Sequence, residues 1–446
     1  MMSLEQIART VGGRPSRPLG DLRATGVSTD TRTLRPGDLF FALRGASFDA
    51  HAFLPEAFGR GASAAVVDRP VPAPGPTIEV ADALAALGAL AAAWRMTLPA
   101  RVVGVAGSNG KTTTKDMIAH VLGKDRRVVR AQGSYNNQVG VPVTVFQADA
   151  RTEVAVLEIG TNHPGEIDAL GRVARPDVGV LVSVGAEHLE GLGTIDGVAD
   201  EETSLFRHLR AGGRAVLHDD PRILERVRIA PGRKITFGLG PTADLHPEDR
   251  GDWSGGVRFR VRGAEFRLGL LGEWNVQNAL AAAAVALLHG VPLEECARRL
   301  ADFRGPKMRM ERLSLAGVTI LNDAYNSNPE SAVRAVREFS RLPGPGRKVA
   351  VIGDMRELGP ASPRYHRELG DLLASSGVDV VVAVGREART LLEAPGAGKE
   401  RHGFETVDEM RPRLAELVRE GDLVLLKGSR AVGLERVVKW MGERVA

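Results

Sequence analysis

Gly107-Ser108-Asn109-Gly110-Lys111-Thr112-Thr113 gathers the residue types that hold a polyphosphate. Glycines let backbone N–H groups converge on phosphate oxygens, a lysine reaches the β- and γ-phosphates, and the next hydroxyl suits Mg²⁺. The usual four residues between the glycines are not met, because Val105 stands where the first glycine belongs. The match is to a shorter form, Gly107-x-x-Gly110-Lys111-Thr112. It points to ATP. Glu158, closing the apolar run 154–159, is a hard oxygen donor suited to Mg²⁺. His188 follows the run 178–184 within Gly185-Ala186-Glu187-His188-Leu189-Glu190-Gly191. Ligands of open α/β sheets collect at the carboxyl ends of strands, so both side chains are expected to face the nucleotide.

Positioning these groups takes strand–turn–helix units. The run 102–105 reads as a strand before the glycine loop, and 112–122 has helical spacing after it. Unalternating runs separated by helices predict a parallel sheet covered on both faces. Residues 231–256 are Gly-rich and polar and read as loops or an antiparallel edge, and 275–288 reads as an Ala/Leu helix. Ahead of this region lie β-like runs at 38–43 and 64–67 and an Ala-rich helix at 84–94. Beyond residue 310, runs at 348–352, 378–384 and 423–426 alternate with helices in a second doubly wound pattern. The 446 residues thus divide into three α/β domains, expected at 1–98, 99–310 and 311–446: a small substrate domain, a central phosphate-loop ATPase domain and a Rossmann-like domain.

Composition narrows the function. With 59 basic and 55 acidic side chains the formal charge is +4, so no nucleic-acid partner is implied. No run is long enough for a membrane span, and the N-terminus lacks a basic segment followed by an apolar one. A single cysteine, Cys296, excludes an internal disulfide and a multi-cysteine zinc site. A cytoplasmic protein acting as a monomer is expected.

The chain resembles the Mur ligase family, the ATP-dependent amide-forming enzymes of peptidoglycan precursor synthesis, over essentially its whole length. Ser28-Thr29-Asp30-Thr31-Arg32 and Phe48-Asp49-Ala50-His51 resemble segments around the uridine nucleotide sugar, which implies Ser28, Asp30, Arg32, Asp49 and His51 as substrate contacts. Tyr135-Asn136-Asn137-Gln138-Val139-Gly140 follows the family pattern and adds Asn137 to them. Asn275 and Asn278 resemble the adenine-contacting pair, with Trp274 where histidine is usual, and Arg309 fits a phosphate-facing arginine, with Met308 in place of glycine. Asp323, in Asn322-Asp323-Ala324-Tyr325-Asn326-Ser327-Asn328-Pro329, is expected on the ribose, with Asn326 and Asn328 lining the same inter-domain cleft. Gly353-Asp354-Met355-Arg356-Glu357-Leu358-Gly359 and Lys427-Gly428-Ser429-Arg430 are similar to the branch that adds D-alanyl-D-alanine to UDP-N-acetylmuramoyl-tripeptide, making Lys427, Ser429 and Arg430 candidate substrate contacts.

The resemblance implies an acyl-phosphate mechanism needing ATP and two Mg²⁺ ions. Thr112 and Glu158 are expected on the first ion and His188 with Glu202 on the second. Family members commonly carry a carbamoylated lysine where Glu202 stands; a glutamate offers the same charge on a shorter stem, and Glu201 is an alternative owner of the role. Ser183 replaces a usual asparagine ahead of His188. Rival readings are another amino-acid-adding Mur-type ligase, a folylpolyglutamate synthetase-like enzyme, and an ATPase switch without ligation.

Overall fold

Short apolar runs form three mainly parallel sheets, each packed on both faces as such runs require. The computed structural model describes residues 2–45, 48–253, 255–395 and 398–443. In the first domain β1 (Arg14–Pro15), β2 (Gly26–Ser28), β3 (Asp38–Phe41), β4 (Ala64–Val67) and β5 (Thr77–Glu79) lie in the order β1-β5-β4-β3-β2, with only β1 antiparallel. Leu39, Phe41 and Val66 pack with Leu4, Ile7 and Leu87; Phe40, Ala65 and Val67 pack with Leu54 and Ala57 on the other face.

The middle sheet comprises β6 (Arg101–Ala106), β7 (Val128–Arg130), β8 (Val154–Glu158), β9 (Val178–Leu181), β10 (Arg214–His218) and β11 (Lys234–Phe237), all parallel in the order β11-β10-β9-β6-β8-β7. The chain runs out to β7, returns through β8, then crosses β6 to reach β9. Direction reverses at β6, so the carboxyl ends of β6, β8 and β9 frame the crevice where ligands bind in such sheets. Helix Lys111–Leu122 shares its apolar core with helix Trp274–Leu288, whose Ala281, Ala282, Ala283 and Ala284 are fully buried. An antiparallel meander of β12 (Asp249–Trp253), β13 (Gly256–Val261) and β14 (Ala264–Leu268) closes this core, with Phe259 and Phe266 stacked at 4.8 Å.

The third domain is built on β15 (Glu311–Leu315), β16 (Val318–Asp323), β17 (Lys348–Gly353), β18 (Val380–Val384), β19 (Glu400–Phe404) and β20 (Leu423–Lys427), ordered β15-β16-β20-β17-β18-β19. All pairs are parallel except β15–β16. The carboxyl ends of β16 and β20 meet at the pair Asp323–Lys427.

Three local expectations change. Within 231–256, β11 extends the parallel sheet and β12 supplies an antiparallel strand; Ser254 lies outside the described residues. The run 178–184 is a strand only to Leu181, because Ser183 turns to bond the loop after β6. A β15–β16 hairpin precedes the alternating pattern of the third domain; Ala316 and Gly317, at φ 50° and 70°, form the two-residue turn that joins such strands. Among the described residues no helix is long and apolar enough to cross a membrane.

The first and middle domains are tied by Arg95 in the last turn of helix Ala83–Thr97. Its side chain is 1% exposed, donates to Ala174 O at 3.1 Å and to Asp177 Oδ2 at 2.8 Å, and Asp177 also accepts from Val102 N–H. Burial pulls the Arg95 pKa down, with Asp177 opposing it. Replacing Arg95 by methionine keeps the stem and leaves the Asp177 carboxylate, which is partly open to solvent, with only Val102 N–H and the more distant Arg210 at 3.6 Å. We expect about 2–3 kcal/mol of lost stability, below the ~3–5 typical of fully buried pairs, read from urea unfolding. An unshifted midpoint would mean that the pair contributes nothing.

Candidate active site

Two glycines set the phosphate loop. Gly107 has φ 122° and lies so close to the strand-9 loop that a Cβ would fall 2.8 Å from Ser183 N and O. Gly110, at φ 89°, precedes helix Lys111–Leu122, and a Cβ there would meet Asn278 Oδ1 at 2.2 Å. Ser183 stitches the loop down: its carbonyl accepts from Ser108 N–H at 2.9 Å, and its hydroxyl accepts from Asn109 N–H at 2.8 Å and donates to Asn109 O at 3.0 Å. The serine that departs from the family pattern thus has a definite place, on the loop's backbone.

Lys111 donates to Gly107 O and lies 3.6 Å from Glu187 Oε1. Burial opposes its charge, but Glu187, Glu202 and Glu158 outweigh that and hold its pKa above the ordinary lysine value. Thr112 Oγ1 accepts from Arg309 Nη2 at 2.9 Å and lies 3.1 Å from Ser134 Oγ, while the Arg309 guanidinium sits 4.3 Å over the Tyr325 ring. Glu158 is 1% exposed; Asn136 donates to its Oε1 at 3.1 Å, and Lys115 Nζ stands 3.6 Å from Oε2. Lys115, fully buried, also donates to Ala131 O at 2.8 Å and Gly133 O at 2.6 Å, tying the loop after β7 to the carboxylate. Burial raises the Glu187 pKa, with Lys111 and His188 pulling the other way. His188 is held above its ordinary value: burial lowers it, but the contact with Glu357 and the charge of Glu187 prevail.

These residues face a cleft of about 500 Å³ between the carboxyl ends of the middle and third sheets. Its walls include Ser108, Asn109, Gly110, Lys111, Thr112, Thr113, Asn137, Glu158, His188, Asn275, Asn278, Arg309, Asp323, Asn326, Asn328, Lys427 and Arg430. Asn328 caps helix Pro329–Arg341 and donates to Asn109 Oδ1 at 3.0 Å, so a second helix N-terminus faces the phosphate loop. Lys427 Nζ bridges Asp323 Oδ2 at 2.9 Å and Asn326 O at 2.7 Å. Asn278 donates to Asn275 Oδ1 at 3.0 Å and accepts from Thr114 Oγ1 at 3.3 Å.

Other candidates lie elsewhere. Gly107, at the start of the loop, and Glu202, behind it, lie outside the cleft wall: Glu202 is fully buried and its Oε2 accepts Gly107 N–H at 2.7 Å. Burial, with Glu187 adding and Lys111 opposing, pushes Glu202 up to about 8. Glu201 is directed away, accepting from Gly165 N–H and Ile167 N–H, each at 2.8 Å, ahead of helix Glu166–Ala174. Ser429 is buried, accepting Arg356 N–H at 2.9 Å. The first-domain residues do not reach this cleft. Asp30 accepts from Arg32 N–H at 2.9 Å and pairs with its guanidinium at 2.6 Å; Ser28 Oγ donates to Asp30 O. His51 is buried between Asp49, 2.6 Å from Nδ1, and Asp68, 3.3 Å from Nε2. Hydrogen bonds from the His51 backbone and ring bring Asp49 down to about 2.

Sequence reasoning passed over Glu187, Ser134, Asn136 and Glu357, all on the cleft wall. Glu187 adjoins His188 in a segment already singled out, and that adjacency was the available signal. Among the described residues no group of three or more His, Cys, Asp or Glu forms a metal cage. Mg²⁺ does not require one, since it binds through one or two carboxylates together with substrate phosphates. The buried oxygens Glu158 Oε2 and Glu187 Oε1 have no hydrogen-bond partner, and with the Thr112 hydroxyl they form a hard donor set that fits this ion.

Three family descriptions match the chain: Mur ligase family, catalytic domain over residues 23–95, Mur ligase middle domain over 105–286, and Mur ligase, glutamate ligase domain over 308–430. The UDP-N-acetylmuramoyl-tripeptide–D-alanyl-D-alanine ligase of Bacillus subtilis is 36% identical over 98% of this chain and 97% of its own. A crystal structure of MurF from Acinetobacter baumannii superposes with a TM-score of 0.88 at 32% identity, covering 98% of each chain. The MurF ligase from Thermotoga maritima in complex with ADP gives 0.83 at 29% identity, covering 95% of this chain and 99% of its own.

The loop geometry carries a prediction. Gly107→Ala should weaken nucleotide binding about tenfold or more, in keeping with roughly 1–3 kcal/mol of local strain. Calorimetric titration with a non-hydrolysable ATP analogue measures it, and unchanged affinity would show that the loop can yield.

Proposed function

The chain belongs to the Mur ligase family, and from that premise we infer that it is the ATP-dependent ligase that joins D-alanyl-D-alanine to UDP-N-acetylmuramoyl-tripeptide in peptidoglycan precursor synthesis. The observation that carries this reading is the cleft itself. A phosphate loop on one sheet faces Asp323, Lys427 and Arg430 on another, so two domains can close over a nucleotide and its acceptor.

A carboxylate resists attack because its charge repels nucleophiles and its oxide cannot leave. In the proposed reaction a carboxylate oxygen of the tripeptide attacks the γ-phosphorus of ATP, the bond to the β-phosphate oxygen breaks, and ADP departs. The dipeptide's neutral amine nitrogen then attacks the acyl carbon of the mixed anhydride, the carbon–oxygen bond to phosphate breaks, and the proton lost by nitrogen leaves with the phosphate. Positioning and charge neutralisation dominate such chemistry. Lys111 and the backbone N–H groups of residues 108–112 bind the phosphates, Arg309 bears on them from the hinge, and Asp323 receives the ribose. Asn275 and Asn278 serve the adenine side. Thr112 and Glu158 would hold one Mg²⁺, with Glu187 and His188 beside a second, and the ions would supply neutralisation of phosphate charge. Lys427 and Arg430 face the acceptor peptide, and Ser28, Asp30, Arg32 and Asp49 with Asn137 serve the nucleotide sugar, with His51 holding Asp49 in place. Glu202 stands where the family carries its carbamoylated lysine, but instead of holding the second Mg²⁺ as expected it supports Gly107 from behind the loop.

Phosphate release should require both UDP-N-acetylmuramoyl-tripeptide and D-alanyl-D-alanine. Release that answers to a different amino acid would overturn the acceptor, and release indifferent to both would leave an ATPase. Lys111→Ala should lower kcat by about 10²–10³-fold, the scale of losing one charge-stabilising donor. Activity should not change in buffer stripped of bicarbonate; a loss restored by bicarbonate would refute the role given to Glu202.

A further inference from the structure

Seven non-glycine residues among those described have left-handed backbone, a conformation costing roughly 1–3 kcal/mol that persists only where its surroundings enforce it. Three of them, Arg175, Arg262 and Ala316, are not on the cleft wall, and Ala316 lies in the β15–β16 turn. Of the other four, His188, Met310 and Glu357 line the cleft, and Met308 precedes Arg309 on its wall. Met308 and Met310 flank Arg309 where the chain passes into the third domain. His188 and Glu357 meet face to face across the domain boundary.

Their contact is double. The Glu357 carboxylate is hydrogen-bonded to His188 Nδ1, and the Glu357 carbonyl accepts from Glu190 N–H at 3.1 Å. Gly359 closes the clasp, with space for a Cβ only 3.4 Å from Glu190 Cα. With Nδ1 engaged, the imidazole presents Nε2 inward, 3.8 Å from Glu187 Oε2, and Glu187 Oε1 lies 3.6 Å from Lys111 Nζ. A line of contacts therefore runs from the third domain to the phosphate-loop lysine.

We propose that Glu357 is a positioning residue of the active site, acting through His188. The third domain carries the carboxylate that sets the imidazole's orientation, so the phosphate side of the cleft is completed only when that domain docks. A group that orients a metal-binding histidine through its second nitrogen is worth about 10–100-fold in metal affinity or activity.

The test is a double-mutant cycle with a structural arm. In the unmodified background Glu357→Ala should lower kcat about 10–100-fold, and Glu357→Gln, whose amide oxygen still accepts from Nδ1–H, should recover most of it. In a His188→Ala background the same Glu357→Ala change should cost almost nothing, because the residue through which it acts is gone. An equal loss in both backgrounds would mean that Glu357 acts on substrate directly, and no loss in either would mean that it has no role; both overturn the proposal. So would a loss that follows a lowered thermal midpoint. The kinetic arm rests on the ligase reading, whereas the structural arm does not. In a crystal structure of Glu357→Ala the His188 ring should leave its place beside Glu187, and a ring that stays put refutes the proposal whatever reaction the enzyme performs.

Discussion

A lysine placed in the interior cannot remain charged alone, and the arrangement around Lys111 answers that constraint. Glu158, Glu187 and Glu202 all act on its charge, and each is itself nearly or fully buried. Each carboxylate would be as costly as the lysine if left unpaired, so the groups require one another. Because they come from the end of β8, the loop after β9 and helix Ile195–Thr203, their mutual demand gathers three distant segments beneath one glycine loop. Lys115 repeats the device one helical turn on, holding Glu158 from below while its other bonds fix the loop after β7.

The sheet topology makes that gathering possible. Reversal of strand order at β6 leaves the carboxyl ends of β6, β8 and β9 unobstructed, and the third sheet turns its own carboxyl ends toward the same space. Much of what joins the two faces is polar, although Leu189, Leu271 and Trp274 of the middle domain also pack against the third domain's core. Asn109 meets Asn328 and Glu330, Arg309 meets Thr112, and His188 meets Glu357. The polar contacts can be exchanged for contacts to substrate, which suits a boundary that opens and closes. The backbone strain at residues 188, 308, 310 and 357 sits at the same boundary.

Residues with local signatures were legible. The glycine loop, Glu158 and His188 could be placed because strand, turn and helix follow one another in sequence, and the fold of three α/β domains follows from unalternating apolar runs. The end of the run 178–184 was misread because Val182 and Val184 are buried without being in a strand. Apolar character reports burial, whereas strand pairing depends on what the neighbouring loop requires of Ser183.

By itself, then, the sequence determined the phosphate loop, the strands that end beside it and the class of each domain, since these depend on spacing within a few residues. The tertiary structure alone decided that Glu202 lies behind the loop while Glu201 faces a helix N-terminus, although the two are adjacent. It also decided that Glu187 lines the cleft, that His51 is enclosed between Asp49 and Asp68, and that Glu357 meets His188. The physical reason is the same in each case. Whether a carboxylate or imidazole is free for chemistry depends on which groups are buried beside it, and many of those partners come from elements far away in the chain.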